Sequence, residues 1–339
     1  MADDARICLS LHVDPQLDGQ RADQFLATKI RRLSRSRASA IVKNGDLRRD
    51  GRALRPASRV RGDEILSLWR TPPEEPAAPE SFEVLHDDDH LLVIDKPAGL
   101  AVHPSARYFR TTLTQLLRRQ AGSADAVVPR ICHRLDRETS GVLLLARTLD
   151  VERRLKRAFA HGQVHKTYWA LVEGSVSATP QRIDIPLGPL GGAIRIRMGA
   201  VPDAPPARTE VRLLAALGDR SLVACYPRTG RTHQIRAHLS LIGHPIVGDK
   251  IYGGQGEDWF LRWAEGGEAA ASVDELGWPR QCLHARALEL DPDLGVAPQF
   301  FVAPWPTDLP EIPQESIFLE GGEAERSRLS SSPSAPRSH

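Results

Sequence analysis

The apolar positions of the first 70 residues predict a small mixed unit. Ile7, Leu9, Leu11 and Val13 alternate with polar neighbours, as in an edge strand with one apolar face. Ala22, Phe25, Leu26 and Ile30 then recur at helical spacing. Ser34 is placed to cap a second helix that runs from Arg35 through Ile41 and Val42 to a stop at Gly45. Asp50-Gly51 marks a hairpin turn within residues 47–53, and Arg61-Gly62-Asp63-Glu64-Ile65 reads as a turn entering a strand.

Residues 71–80 carry four prolines and read as an extended linker between two units free to move. Beyond it, strand patterns cover residues 82–85, 91–95, 164–172, 208–214 and 222–226. Residues 142–146 form a continuous apolar run, the signature of a buried strand. Helical spacing covers 113–119 and 151–159, where Val151, Leu155, Ala158 and Phe159 share a face. The mixture predicts an α+β fold around a mixed, largely antiparallel central sheet. Residues 253–278 read as a glycine-rich insertion with a short helix around Trp259 to Trp263. The expected organisation is a domain over 1–70 with its core at 18–70, a linker at 71–80, a large domain at 81–310, and a disordered Glu-, Ser- and Pro-rich tail at 311–339.

Composition adds class rather than detail. At 339 residues, 41% hydrophobic and 26% charged, the chain suits a globular protein, and the net charge of +2 is uninformative. Its distribution is informative. Residues 20–70 hold 14 basic against five acidic side chains, a local net charge of +9, which suits a polyanion or, more plainly, a solvated basic face. The four cysteines are widely spaced and form no C-x-x-C pair, so reduced thiols and a cytoplasmic location are expected. No signal peptide and no membrane segment are expected, and a monomer is the simplest state.

The densest chemistry lies at residues 133–141, His-Arg-Leu-Asp-Arg-Glu-Thr-Ser-Gly. Asp136 sits in a turn at the mouth of the buried 142–146 strand, a good way to present one carboxylate to a cleft. Taken alone, Asp136 equally suits a pair with Arg134 or Arg137, or a turn cap. His233, His238 and His244 invite a metal reading, but they lack an H-E-x-x-H pattern and a cysteine pair, so no metal is expected. No G-x-G-x-x-G or P-loop string is present.

The string H-R-L-D-x-x-T-S-G resembles the catalytic signature of the RluA-type pseudouridine synthases, which isomerise uridine in ribosomal and transfer RNA. Three further segments resemble that family in the expected order: Asp95 to Leu100, Lys166 to Val172, and Thr229 to Leu239 continued by Gly243 to Asp249. The resemblance spans about residues 81 to 305. Residues 18–70, with R-x-D-x-F-L from Arg21, S-R-S-R-A from Ser34 and the Gly62-Asp63 turn, resemble the small RNA-binding domain named after a protein of the small ribosomal subunit.

The resemblance implies a cleft across the central sheet and no cofactor. It implies Asp136 as the essential carboxylate and Arg236 as its guanidinium partner. Tyr168 would pack on the uracil and help remove the carbon 5 proton. Arg134 would fill the space left by a flipped uridine, with the alternative of a phosphate contact. His133, Arg231 and His233 are further substrate-side candidates, His133 chiefly as a hydrogen-bonding support for the loop. Lys96 and Pro97 would shape a turn behind the site. Arg35, Arg37, Lys43, Arg48 and Arg49 become phosphate-contact candidates. The implied partner is RNA, 23S ribosomal RNA or a large-subunit assembly intermediate. The competing readings are transfer RNA modification by the same chemistry and a non-catalytic ribosome-assembly factor. A retaining glycosidase needs a second carboxylate, and nothing marks Glu138 as one.

Overall fold

The computed structural model describes residues 6–30, 33–70, 75–105, 108–122, 127–267, 270–296 and 298–313. Residues 71–74 of the expected linker and the expected tail beyond residue 313 lie outside these. The chain divides into two compact units, Met1–Pro76 and Ala77–His339, and the division falls within the proline-rich stretch.

In the first unit, β1 (Ile7–His12) is followed by α1 (Ala22–Lys29), α2 (Arg35–Lys43), β2 (Leu47–Arg49), β3 (Arg52–Ala53) and β4 (Ile65–Arg70). The four strands form an antiparallel sheet in the order β1-β4-β2-β3, so β1 is an edge strand. Phe25, Leu26, Ala38, Val42, Leu47, Leu66 and Leu68 form its core. Ser34 caps α2 by accepting from Arg37 N at 3.3 Å. Asp50 and Gly51 both take positive φ, 48° and 78°, the primed turn that matches strand twist.

The second unit runs β5 (Glu83–Asp87), β6 (Leu91–Lys96), α3 (Leu113–Ala121), β7 (Arg130–Ile131), β8 (Ser140–Ala146), α4 (Leu149–His161) and β9 (Val164–Glu173). It continues with β10 (Gln181–Asp184), β11 (Leu187–Pro189), β12 (Met198–Ala200), β13 (Arg208–Leu217), β14 (Arg220–Pro227) and α5 (Gln234–Leu241). It closes with α6 (Gly256–Gly266), β15 (Leu283–Leu290) and β16 (Phe300–Val302). A ten-stranded sheet carries the order β10-β13-β14-β9-β15-β8-β6-β5, with β16 on β15 and β7 on β8. Its pairings are antiparallel except β8 with β15. The expected mixed, largely antiparallel sheet is what forms.

Burial on both faces explains the apolar runs. Leu91, Val93, Val142 and Leu144 pack with α4 residues Val151, Leu155 and Ala158 on one face. Leu92, Ile94, Leu143 and Leu145 pack with α3 residues Leu113, Leu116 and Leu117 on the other. β8 is therefore wholly buried, and its entrance is fixed by what surrounds it. The insertion contains a helix longer than expected, α6, seated through Trp259.

Gly141 sets the entrance to β8. It takes φ +111°, and a Cβ there would stand 2.2 Å from Ala285 O on the parallel neighbour β15. Ala285 is in register with Gly141 on one side and with Tyr168 of β9 on the other. The loop carrying Asp136 and the strand carrying Tyr168 thus meet at one level of the sheet.

Gly141→Ala is expected to cost about 2–4 kcal/mol, because β8 and β15 must separate as well as accept a strained backbone. Gly218→Ala, with φ +73° and nothing near its Cβ, is expected to cost about 1–2 kcal/mol. Urea unfolding of the two variants checks this; equal costs would mean the close approach to Ala285 is not what demands glycine.

Candidate active site

Asp136 ends a loop held mainly from behind by hydrogen bonds. Lys96, fully buried, donates to Pro97 O at 2.7 Å, Leu100 O at 2.9 Å and Arg137 O at 3.2 Å. Burial pulls its amine down to about 7, with the Arg280 charge adding, while a cage of three carbonyls accepts from all three ammonium hydrogens. Gln281 Nε2 donates to Thr139 Oγ1 at 2.6 Å, and Arg280 reaches Glu138 O at 3.3 Å. Lys250 pairs with Glu138 at 2.8 Å. Arg137, a candidate partner of Asp136 in the sequence, pairs with Glu138 instead at 2.7 Å.

The partner of Asp136 comes from α5. Arg236 Nη1 donates to Asp136 Oδ2 at 2.9 Å. The other edge of the guanidinium is held by Asp249, with Nε to Oδ2 at 2.6 Å and Nη2 to Oδ1 at 2.8 Å. Asp249 is fully buried and also accepts from Ile251 N and Tyr252 N at 2.9 and 3.0 Å. Burial pushes the Asp249 carboxyl up, and Arg236 with the two backbone donors more than reverses it, leaving it below the usual carboxylate range. Burial likewise works against the Arg236 charge, and Asp249 followed by Asp136 raises it above the ordinary arginine value. One fork of Arg236 is locked and the free edge is presented to Asp136. The Tyr252 ring lies 5.1 Å from the same guanidinium.

The turn before α5 is built as carefully. Gln234, buried, accepts from Thr229 Oγ1 at 2.7 Å and Arg231 N at 3.0 Å. Its amide donates to Arg208 O and Thr209 Oγ1 at 2.8 and 3.0 Å. His233 sits at the helix entrance with φ +55°, a left-handed conformation unusual for histidine. Tyr252 Oη accepts from Met198 N at 2.8 Å and shares a hydrogen bond with His233 Nδ1 at 3.1 Å. His233 Nε2 faces Asp136, 3.9 Å away. Burial, then the Arg236 charge, lowers His233 to about 4, so the ring is neutral at physiological pH.

Asp136, Thr139, His233, Gln234 and Arg236 line one cleft of about 550 Å³, together with His133, Arg134, Lys166, Tyr168 and Arg231. His133 Nε2 accepts from Leu144 N at 2.9 Å, and its ring stacks on Phe159 with centroids 4.6 Å apart. Burial, then Lys166, lowers His133 to about 3, so it supports the loop as a neutral acceptor. Tyr168 is half-buried, and burial followed by the Asp136 charge raises its phenol above the ordinary value. Arg134 and Arg231 are exposed on the rim, and Arg231 donates to Pro206 O at 3.1 Å. No group of three or more potential metal ligands occurs among the described residues, and no helix among them is long and apolar enough to cross a membrane.

The basic candidates of the first unit differ among themselves. Arg35, Arg37 and Lys43 are exposed on α2. Arg48 donates to Gly45 O at 3.1 Å and lies over the Trp69 ring. Arg49 is bidentate on Glu64, at 2.6 and 2.8 Å, and so is already matched by a carboxylate. Sequence reasoning left out Asp249, although Gly248-Asp249 lay in a quoted motif. The signal was there: a glycine, here at φ +77° where a Cβ would stand 2.0 Å from Arg280 O, followed by an acid in an apolar context.

The family described as RNA pseudouridylate synthase matches residues 90–241. The chain is 37% identical over 300 residues to the ribosomal large subunit pseudouridine synthase D of Xylella fastidiosa, covering 87% of this chain and 88% of that one. An uncharacterized RNA pseudouridine synthase of Chloroflexus aurantiacus is 39% identical over 303 residues, covering 88% and 90%. The solved structure titled human RNA pseudouridylate synthase domain containing 1 superposes with a TM-score of 0.56 at 26% identity, covering 78% of this chain and all of that one. The fold and the ordered segments define an RNA-modifying isomerase. The chain belongs to the RNA pseudouridine synthase family, of the RluA type.

Asp249→Asn is expected to cost about 3–5 kcal/mol at pH 7, since it leaves a buried guanidinium half-compensated. The folded carboxyl titrates below its unfolded value near 3.8, so its contribution is complete above that pH and fades as pH falls through the lower folded value. Urea unfolding at pH 7 and pH 3 should show the gap between wild type and variant narrowing in acid. A gap that widens in acid would reverse the sign of this linkage.

Proposed function

We propose that the protein converts uridine to pseudouridine in large-subunit ribosomal RNA, with Asp136 as the essential carboxylate. The observation that carries this reading is the Asp249–Arg236–Asp136 chain of charges, whose Arg236 and Asp136 line a nucleotide-sized cleft while Asp249 is buried behind them. In the reaction the bond from uracil nitrogen 1 to ribose carbon 1′ breaks, the base turns, carbon 5 bonds to carbon 1′, and the carbon 5 proton leaves. No electron acceptor or added group is required. Asp136 works at the ribose, by attack on carbon 1′ or by taking the carbon 2′ proton, and both routes need an ionised carboxylate of fixed orientation. Arg236 supplies that orientation.

A target uridine must leave its stack to reach the cleft. Arg134, exposed on the rim, is positioned to take the vacated space, and Tyr168 packs against the base. A phenol held protonated is a poor resting base, so Tyr168 takes the packing role rather than removal of the carbon 5 proton, which passes to water. His133 and His233, both neutral, serve as hydrogen-bonding supports. The ribosomal substrate is favoured by the names of relatives that match most of the chain. The first unit would hold RNA phosphates through Arg35, Arg37 and Lys43, with Arg48 and Arg49 shaping the adjoining hairpin.

Tritium release from RNA labelled at uridine carbon 5, prepared from cells lacking the gene, tests the activity. Wild type should release tritium from large-subunit RNA and not from transfer RNA, and Asp136→Asn should lower release by at least 1,000-fold, roughly the loss of about 4 kcal/mol of transition-state stabilisation. Retained release in the variant would remove Asp136 from the mechanism; release from transfer RNA alone would move the substrate. Replacing Arg35, Arg37 and Lys43 together by Ala should lower the slope of log affinity against log salt by about 2, at ~0.7 per lost phosphate contact on single strands. An unchanged slope would take the α2 face out of RNA binding.

A further inference from the structure

A second cavity, of about 590 Å³, lies outside the site described above. Val127, Val128, Pro129 and Ile131 give part of its lining an apolar character. Arg118 of α3, Arg130 of β7 and Lys156 of α4, all exposed, line it as well, with His103. Glu152 lies between two of these cations and accepts from Lys156 Nζ at 2.7 Å and Arg130 Nη1 at 3.3 Å. Three cations against one carboxylate leave the groove positive. Burial first, then the charges of Arg134 in the cleft and Lys156 in the groove, hold the His103 imidazole below its ordinary range.

Two segments connect this groove to the cleft. Residues 130–134 place Arg130 and Ile131 in the groove and His133 and Arg134 in the cleft. α4 places Lys156 in the groove and Ala160 in the cleft, one helical turn or about 6 Å apart along the axis. Apolar side chains beside cations suit a nucleotide unit: apolar contact for base and ribose, charge for the phosphodiester. A purely acidic peptide would use the cations and leave the apolar residues bare.

We infer that the groove between α3, β7 and α4 binds a nearby nucleotide of the same RNA strand as the one seated at Asp136. Its phosphate is held by Arg118 and Lys156, and its base lies against Val127, Val128, Pro129 and Ile131. This rests on the RNA-modifying reading of the cleft and extends it by a neighbouring subsite that grips the strand.

The test is binding of a fluorescein-labelled twelve-nucleotide uridylate to the full chain in an Asp136→Asn background, where turnover cannot interfere. Arg118→Ala with Lys156→Ala should weaken binding and lower the salt slope by about 1.4, at ~0.7 per phosphate contact. Arg118→Ala alone, at an exposed position free of the Glu152 pairs, should lower it by about half as much. Val128→Asp should also weaken binding, by placing a charge against the base. Unchanged slopes in both cation variants, or equal competition by polyglutamate, would overturn the groove as an RNA subsite. Because the readout is binding, absence of tritium release by the wild type would sink the isomerase reading without touching this comparison.

Discussion

The site depends on one buried guanidinium. Arg236 is a cation removed from water, and such a charge is tolerated only when its hydrogen-bonding edges are filled. Asp249, itself fully buried, fills one edge in bidentate fashion, and Asp136 accepts from the third nitrogen, Nη1. The consequence is directional: the half-exposed carboxylate is oriented by the buried one through a planar group with little freedom to rotate. The pair stabilises a geometry more than it stabilises the fold. The backbone of residues 251–252 holds Asp249 in turn, while Gln234 and Tyr252 bond within the turn that leads into α5.

The sheet supplies the rigid frame on which this depends. Asp136 leads into β8, which is buried on both faces, and Tyr168 lies on β9, with β15 between them. The close approach of Gly141 to Ala285 puts loop and strand at the same level. Lys96, Arg280 and Gln281 then fix residues 137–140 from beneath. A cleft assembled this way keeps its charges in place before any RNA arrives, which is the condition for electrostatic preorganisation.

Much of this was legible in the sequence, and the exceptions have physical reasons. The 142–146 run and the Val151 to Phe159 periodicity report burial directly, and β8 and α4 follow from them. The pairing of Arg236 with Asp136 entered through family resemblance, since residues 100 positions apart carry no local signal of contact. β15 was missed because a central strand that buries His284 and Arg286 hides its apolar pattern behind polar residues. β10, β11 and β12 were missed because short strands in glycine- and proline-rich sequence look like turns. Arg49 reads as a free cation in sequence, and only the fold reveals Glu64 beside it. Asp249 was in plain view, but burial is what gives it a role, and burial is a property of the folded chain.

The most direct measurement is a structure of the full chain bound to RNA carrying 5-fluorouridine at the modified position. That nucleotide is expected out of its stack and inside the cleft. Its ribose should lie within reach of the Asp136 carboxylate, and Arg236 should still bridge Asp136 and Asp249. A uridine held elsewhere on the chain, or a ribose remote from Asp136 with the Arg236 bridge intact, would contradict this.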